Sequence, residues 1–163
     1  MAGNVGADLA ATLRRIQAAA EGPAVRAAAT AAGRAGETAT KMALSAQSHQ
    51  AGTPTPSSPG QPPALISGTL RRSIHRTPTV LLGGGVASTT YGPTVIYGIV
   101  QEFGMTIHSK GSWPLRNVAT GQAFGQVVTL PARPFMRPTV VKLAESGTLA
   151  KLTGTAFQAR LLV

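Results

Sequence analysis

Cysteine is absent from the 163 residues. That excludes disulfide scaffolds, thiolate zinc sites and cysteine nucleophiles. Aromatic residues make up 4% of a chain that is 43% hydrophobic, so a core must be built mainly from Ala, Val, Leu and Ile. Acids are scarce: five Asp and Glu stand against 15 Lys and Arg, for a formal charge of +10. Charged residues are only 12% of the chain, about half the usual share. A wholly disordered basic tail needs many charges and few apolar groups, so this composition argues against one. Long apolar runs are missing as well. Thr77–Gln101 carries no charge, but it holds three consecutive glycines, Pro78, Pro93 and many threonines. A membrane-spanning helix needs about 20 mainly apolar residues, so this stretch reads as strands and turns. Residues 2–13, AGNVGADLAATL, show no basic leader and no unbroken apolar segment. A soluble protein without a secretory signal is expected, long enough for one domain of ordinary size.

The residues that carry chemistry are equally sparse. His49, His75 and His108 lie outside metal-ligand spacing of one another, so neither a metal nor a cofactor is expected. The acids are Asp8, Glu21, Glu37, Glu102 and Glu145. Glu102 stands alone between Glu37 and Glu145, which excludes a catalytic carboxylate pair in that part of the chain. The strained G-x-S-x-G elbow is missing. Gly83-Gly84-Gly85 matches neither phosphate-binding glycine motif and reads as a hairpin turn. Enzymatic activity is not expected. Residues 65–140 carry seven basic residues against Glu102. An isolated carboxylate in that field should be ionised and paired. Arg71, Arg72, Arg133 and Arg137 are its candidate partners, because a guanidinium binds carboxylate bidentately.

What is present is alanine, which fills seventeen of the first 48 positions and is the best helix former. Leu9, Leu13 and Ile16 recur at helical spacing. Gly22-Pro23 interrupts, and proline suits the first turn of a new helix. Two helices are predicted, roughly over 6–20 and 23–48. The Ala-dominated face of the second favours close packing on a sheet or a sister subunit. Residues 52–63, GTPTPSSPGQPP, hold five of the 12 prolines and read as an exposed loop. That loop is either a plain connector or an arm laid over a neighbouring subunit. Ser67 is a candidate N-cap for a short helix with Leu70 and Ile74 inward. Thr79–Leu82, a glycine turn and Val86–Tyr91 form a predicted antiparallel hairpin. Thr94–Phe103 fits a strand or a short helix. Trp113–Val118 and Ala123–Leu130 form a second predicted hairpin about Ala119–Gln122. Thr139 caps a last helix with Val140, Leu143 and Ala144 on one side, its length limited by Gly147 and Gly154. The expected fold class is α+β: N-terminal Ala-rich helices, a small mainly antiparallel sheet and a C-terminal helix. It is read as a single domain with a helical region (1–50), a Pro-rich loop (51–63), a β-rich core with a short helix (64–138) and a closing helix (139–163).

Three segments carry a resemblance. They are Pro62–Ile74 (PPALISGTLRRSI), Tyr97–Gly104 (YGIVQEFG) and Pro131–Pro138 (PARPFMRP), together 29 of the 163 residues. Taken in this order before a closing helix, the set resembles the neck or tail-completion proteins of long-tailed bacteriophages, also described as minor tail components. Gly98 stands where that family more often has Ala. The resemblance implies a structural virion protein at the head-to-tail junction, a ring of identical copies, commonly six. Its implied partners are copies of itself, a head-side connector or stopper protein, and a tail terminator or tail tube protein. No membrane contact is implied. The tail terminator ring is the nearest alternative, and a free basic nucleic-acid-binding protein the more distant one. The residues implicated in structure or interface are Ser67, Gly68, Leu70, Arg71, Arg72, Glu102, Phe103, Gly104, Arg133, Pro134, Phe135, Arg137 and Pro138. Phe135, between rigid prolines, is an anchor for its own core or for a neighbour's pocket. Gly104 permits a turn at positive φ. The arginines either meet genomic DNA in the lumen or dock on acidic faces of adjacent rings. A lumen that must release DNA quickly should not hold it tightly, which favours docking.

Overall fold

The computed structural model describes residues 5–50, 57–116 and 121–161 of the chain. The fold is α+β, with long N-terminal helices, small two-stranded antiparallel sheets and C-terminal helices. Helices α1 (Val5–Glu21) and α2 (Pro23–Ala43) divide at Gly22-Pro23 as expected. Pro23 opens α2, where the N–H it lacks has no helical partner to lose. The second helix ends before residue 48. Ser45 and Ala46 donate to the carbonyls of Met42 and Ala43, three residues back, which tightens and closes it. Leu65 then captures the chain in a parallel bridge with Ser48. Its N–H donates to the Gln47 carbonyl at 2.8 Å, and its carbonyl accepts from His49 at 3.1 Å.

The chain forms two compact units from interleaved segments. One contains the residues up to Ala39, His75–Gly92 and the residues from Thr139 onward. Here β1 (Ile74–Arg76) pairs with β4 (Tyr91–Pro93), and β2 (Val80–Gly83) pairs antiparallel with β3 (Val86–Ser88). Tyr91 therefore belongs to a different pair from the hairpin predicted to include it. Helix α2 lies against these strands through glycine, beyond the alanines that the sequence emphasised. A Cβ on Gly33 would stand 2.5 Å from Arg76 Cδ, and one on Gly36 2.5 Å from Tyr91 Cζ. The Thr30 and Thr79 hydroxyls share a hydrogen bond of 2.8 Å alongside. The Leu9, Leu13 and Ile16 stripe of α1 is exposed.

The closing helix is two helices, α5 (Arg137–Glu145) and α6 (Thr148–Leu161). Gly147, at φ 66°, makes the break, but Gly154 sits inside α6 and does not end it. Thr139 is buried in the first turns of α5 and is not its cap. Val140 and Ala144 are exposed and Leu143 is half-buried. Among the described residues, no helix is long and apolar enough to cross a membrane.

The two glycine environments predict opposite effects. Gly36→Ala should destabilise by about 1–3 kcal/mol, because the methyl enters the Tyr91 ring. Gly154→Ala, with nothing within 4 Å of the added carbon, should stabilise by about 0.5–1 kcal/mol through helix propensity alone. Urea unfolding of both variants checks this; stabilisation by both would contradict the packing of α2.

The other unit contains Thr40–Ile74 and Pro93–Pro138. Its helices are α3 (Thr69–Arg72) and α4 (Tyr97–Phe103). Strand β5 (Met105–His108) pairs antiparallel with β8 (Val127–Leu130), and β6 (Leu115–Arg116) with β7 (Ala123–Gly125). The second predicted hairpin is thus present only in part, since β8 has left it for β5. Its tip residues Ala119 and Thr120 lie outside the described residues. Helix α3 is shorter than expected. Gly68, at φ 72°, occupies the N-cap position instead of Ser67. The left-handed backbone that glycine permits there sets the turn, while Ser67 Oγ accepts the Thr69 N–H at 3.3 Å. Ile74 lies in β1, fully buried.

Candidate functional site

Helix α4 is the hub on which the three sequence segments converge. Thr94, just before it, ties the chain to α3: its N–H and its hydroxyl both donate to the Ser73 carbonyl, at 3.0 and 3.3 Å. Gly98 faces inward and is buried. A Cβ there would stand 2.6 Å from Pro93 Cγ and 3.5 Å from Leu70 Cδ1. Pro93 therefore accounts for the glycine at this position. The contact also joins the first segment, through Leu70, to the second.

The helix ends at Gly104, whose N–H donates to Val100 O at 2.8 Å. Its φ of 72° requires glycine. A side chain would also strike backbone, since the added Cβ would lie 2.8 Å from Leu130 O and 2.9 Å from Ala132 N. The second and third segments thus meet backbone to backbone. Between them, the Gln101 carbonyl accepts the Arg133 N–H at 2.6 Å.

Glu102 completes the joint. Its Oε2 accepts the N–H groups of Phe135 and Met136 at 2.8 and 2.9 Å, and its Oε1 accepts that of Arg137 at 3.0 Å. These donors lead into the first turn of α5, where backbone N–H groups have no helical partner. A negative charge there also suits the helix dipole. Glu102 is therefore a tertiary cap, supplied from 35 residues upstream of Arg137. The expected guanidinium pair is a correction: among the described residues, no arginine side chain bonds to Glu102. Arg71 Nε donates to the Lys41 carbonyl at 3.3 Å, Arg72 Nη2 to Thr69 Oγ1 at 3.5 Å, and Arg133 Nε to the Ser57 carbonyl at 2.8 Å. Three backbone donors at one carboxylate win because they are already fixed by the turn, whereas a guanidinium must be ordered on a long side chain.

Phe135 settles into its own chain, 1% exposed. It is the largest fully buried side chain among the described residues. The flanking Pro134 and Pro138 are half-buried and stiffen the approach. Beside them the Pro-rich loop turns back on its own chain. Ser57 is buried under the Arg133 contact, and the Gly60 N–H donates to Ala132 O at 2.9 Å. Its proline-bearing stretch at 51–56 lies outside the described residues.

A cavity of about 160 Å³ opens beside α4, with Leu44, Leu65, Leu70, Tyr97 and Gln101 among its lining. Gln101 Oε1 is buried with no hydrogen-bond partner among the described residues. Among the described residues, no three His, Asp or Glu side chains gather as a metal site. Both Glu102 oxygens are engaged with backbone donors. The arrangement around α4 holds chain segments in register.

One feature escaped sequence reasoning. Ile96, Ile99 and Phe103 line the outer side of α4 and are 86%, 60% and 75% exposed. Their i, i+3, i+7 spacing is present in the sequence, but Thr94–Phe103 fits a strand as well as a helix, so the sequence alone does not define a face. Phe103 belongs to this outer face, while its neighbours Glu102 and Gly104 face the joint. Comparison with known protein families, with curated proteins and with solved structures finds no match for this chain.

Proposed function

We propose that the chain is a structural virion protein of the head-to-tail junction of a long-tailed bacteriophage, working as a neck or tail-completion ring. The observation that carries the reading is the ordered set of three segments, all of which meet at α4. Their geometry explains why those residue types are needed. Glu102 caps α5, Gly104 lets two backbones touch, Gly98 clears Pro93, and Phe135 anchors the core. These are demands of a rigid building block. The mechanism is assembly by surface complementarity, without turnover, metal or cofactor. The partners are copies of the chain, a head-side connector or stopper, and a tail terminator or tail tube protein. Arg133 is committed to Ser57 inside the chain. The arginines left on the surface, among them Arg137, set docking register against acidic faces.

Particle assembly without this chain tests the proposal. DNA-filled heads and finished tails should accumulate unjoined, and adding the purified protein should restore joining. Joined, infectious particles formed in its absence would refute the reading. Tails of uncontrolled length would move it to the terminator position. Nanomolar duplex binding that survives high salt would assign the arginines to DNA, because phosphate contacts weaken steeply with salt.

A further inference from the structure

We infer that copies of this chain join through two uncharged faces, the β2–β3 hairpin of one copy seating on the outer face of α4 in the next. This deepens the ring reading above and rests on it.

Both faces are apolar and exposed among the described residues. Val80, Leu82 and Val86 share the outward side of the hairpin by strand alternation and are all exposed, Leu82 at 65%. Leu81 and Ala87, paired on the other side, are half-buried. At the tip, Gly83, Gly84 and Gly85 all have positive φ, and a Cβ on any of them would meet nothing within 4 Å. A two-stranded hairpin with an apolar outer face is marginal in water and prone to association. The α4 face, Ile96, Ile99 and Phe103, is more exposed still.

The charge pattern argues for a second copy as the occupant. The molecule carries +10, so like surfaces repel wherever lysine and arginine would meet. The hairpin and nearly all of α4 lie in Thr77–Gln101, a stretch free of charge. Glu102, the one acid of α4, is turned away into the α5 cap. Contact here escapes the repulsion that the rest of the surface imposes. Each copy also carries both halves of the contact, a projecting hairpin and a helix face. Two unlike faces on one chain make a heterologous contact, which leaves neither face bare in a ring whose rotation closes.

The absence of native thiols makes the test direct. Leu82→Cys and Ile99→Cys chains, otherwise full length, are each treated with a short bis-maleimide, alone and as an equal mixture. The mixture should give a covalent dimer at least about tenfold more abundant than either variant alone, because only unlike positions meet across a heterologous contact. Leu82→Asp, with an unchanged circular dichroism spectrum, should sediment as a smaller species than the wild type. Equal dimer from a single variant and from the mixture would overturn the pairing, as would no dimer from the mixture. A cross-linking chain that is missing from the neck of particles would sink the junction reading and leave the contact standing. A neck protein whose mixed variants fail to cross-link would do the reverse.

Discussion

Phe135→Ala should lower the free energy of unfolding by about 3–5 kcal/mol, the range for emptying a fully buried aromatic site. The magnitude follows from its position. Among the described residues the buried apolar side chains are Ala24, Leu44, Ile74 and Phe135, so Phe135 supplies an unusual share of the interior. The Glu102 hydrogen bonds run directly to its backbone and to the next two residues, which leaves the site little freedom to collapse around the missing ring. Phe135→Leu should recover about half of the loss by refilling most of the volume. Equilibrium urea unfolding reads both. A loss below about 1 kcal/mol for the Ala variant would mean that Phe135 is not the anchor described.

Glu102→Ala should cost about 2–4 kcal/mol, more than an ordinary N-cap deletion. One substitution strips three backbone donors of their acceptor, and it removes the charge that suits the start of α5. Glu102→Gln retains one carbonyl oxygen but presents an NH₂ group to donors. Its loss should be about half that of the Ala variant. An arginine-pairing role predicts a different pattern: Arg71→Gln, Arg72→Gln or Arg137→Gln would then destabilise as much as Glu102→Gln. The structure predicts little effect from these three, within about 0.5 kcal/mol, since surface substitutions away from such contacts are usually neutral. An Ala variant as stable as the wild type would remove the cap.

The local signals in the sequence were the legible ones. Alanine content and Gly22-Pro23 placed two helices within a few residues, and the triple glycine placed a hairpin. Gly104 after Glu102-Phe103 signals a turn at positive φ, and its φ is 72°. Long-range choices were not legible. Nothing near Glu102 in the chain shows that its partners are N–H groups more than 30 residues away, and counting charges pointed to arginine instead. Thr139 looked like a cap because it precedes an apolar helical pattern. The true start lies two residues earlier, where Pro138 fits the first turn and a distant carboxylate supplies the acceptor. The strand predicted over Ala123–Leu130 divides because β8 finds β5, a pairing set by tertiary contact and not by turn chemistry. Of the implicated residues, Leu70, Glu102, Gly104, Arg133 and Phe135 meet around α4 in the joint described above. Ser67 and Gly68 shape the turn into α3. Phe103 points outward, so the segment that carries it serves the interior with Glu102 and the surface with its neighbouring aromatic ring.

The central proposal is that this chain forms a ring at the junction of head and tail, built to make contacts and not to transform a substrate. Labelling the chain in purified particles and imaging them tests it most directly. The account predicts label confined to the neck, in one band of identical copies between connector and tail tube. Infectious particles that contain none of the chain would contradict it.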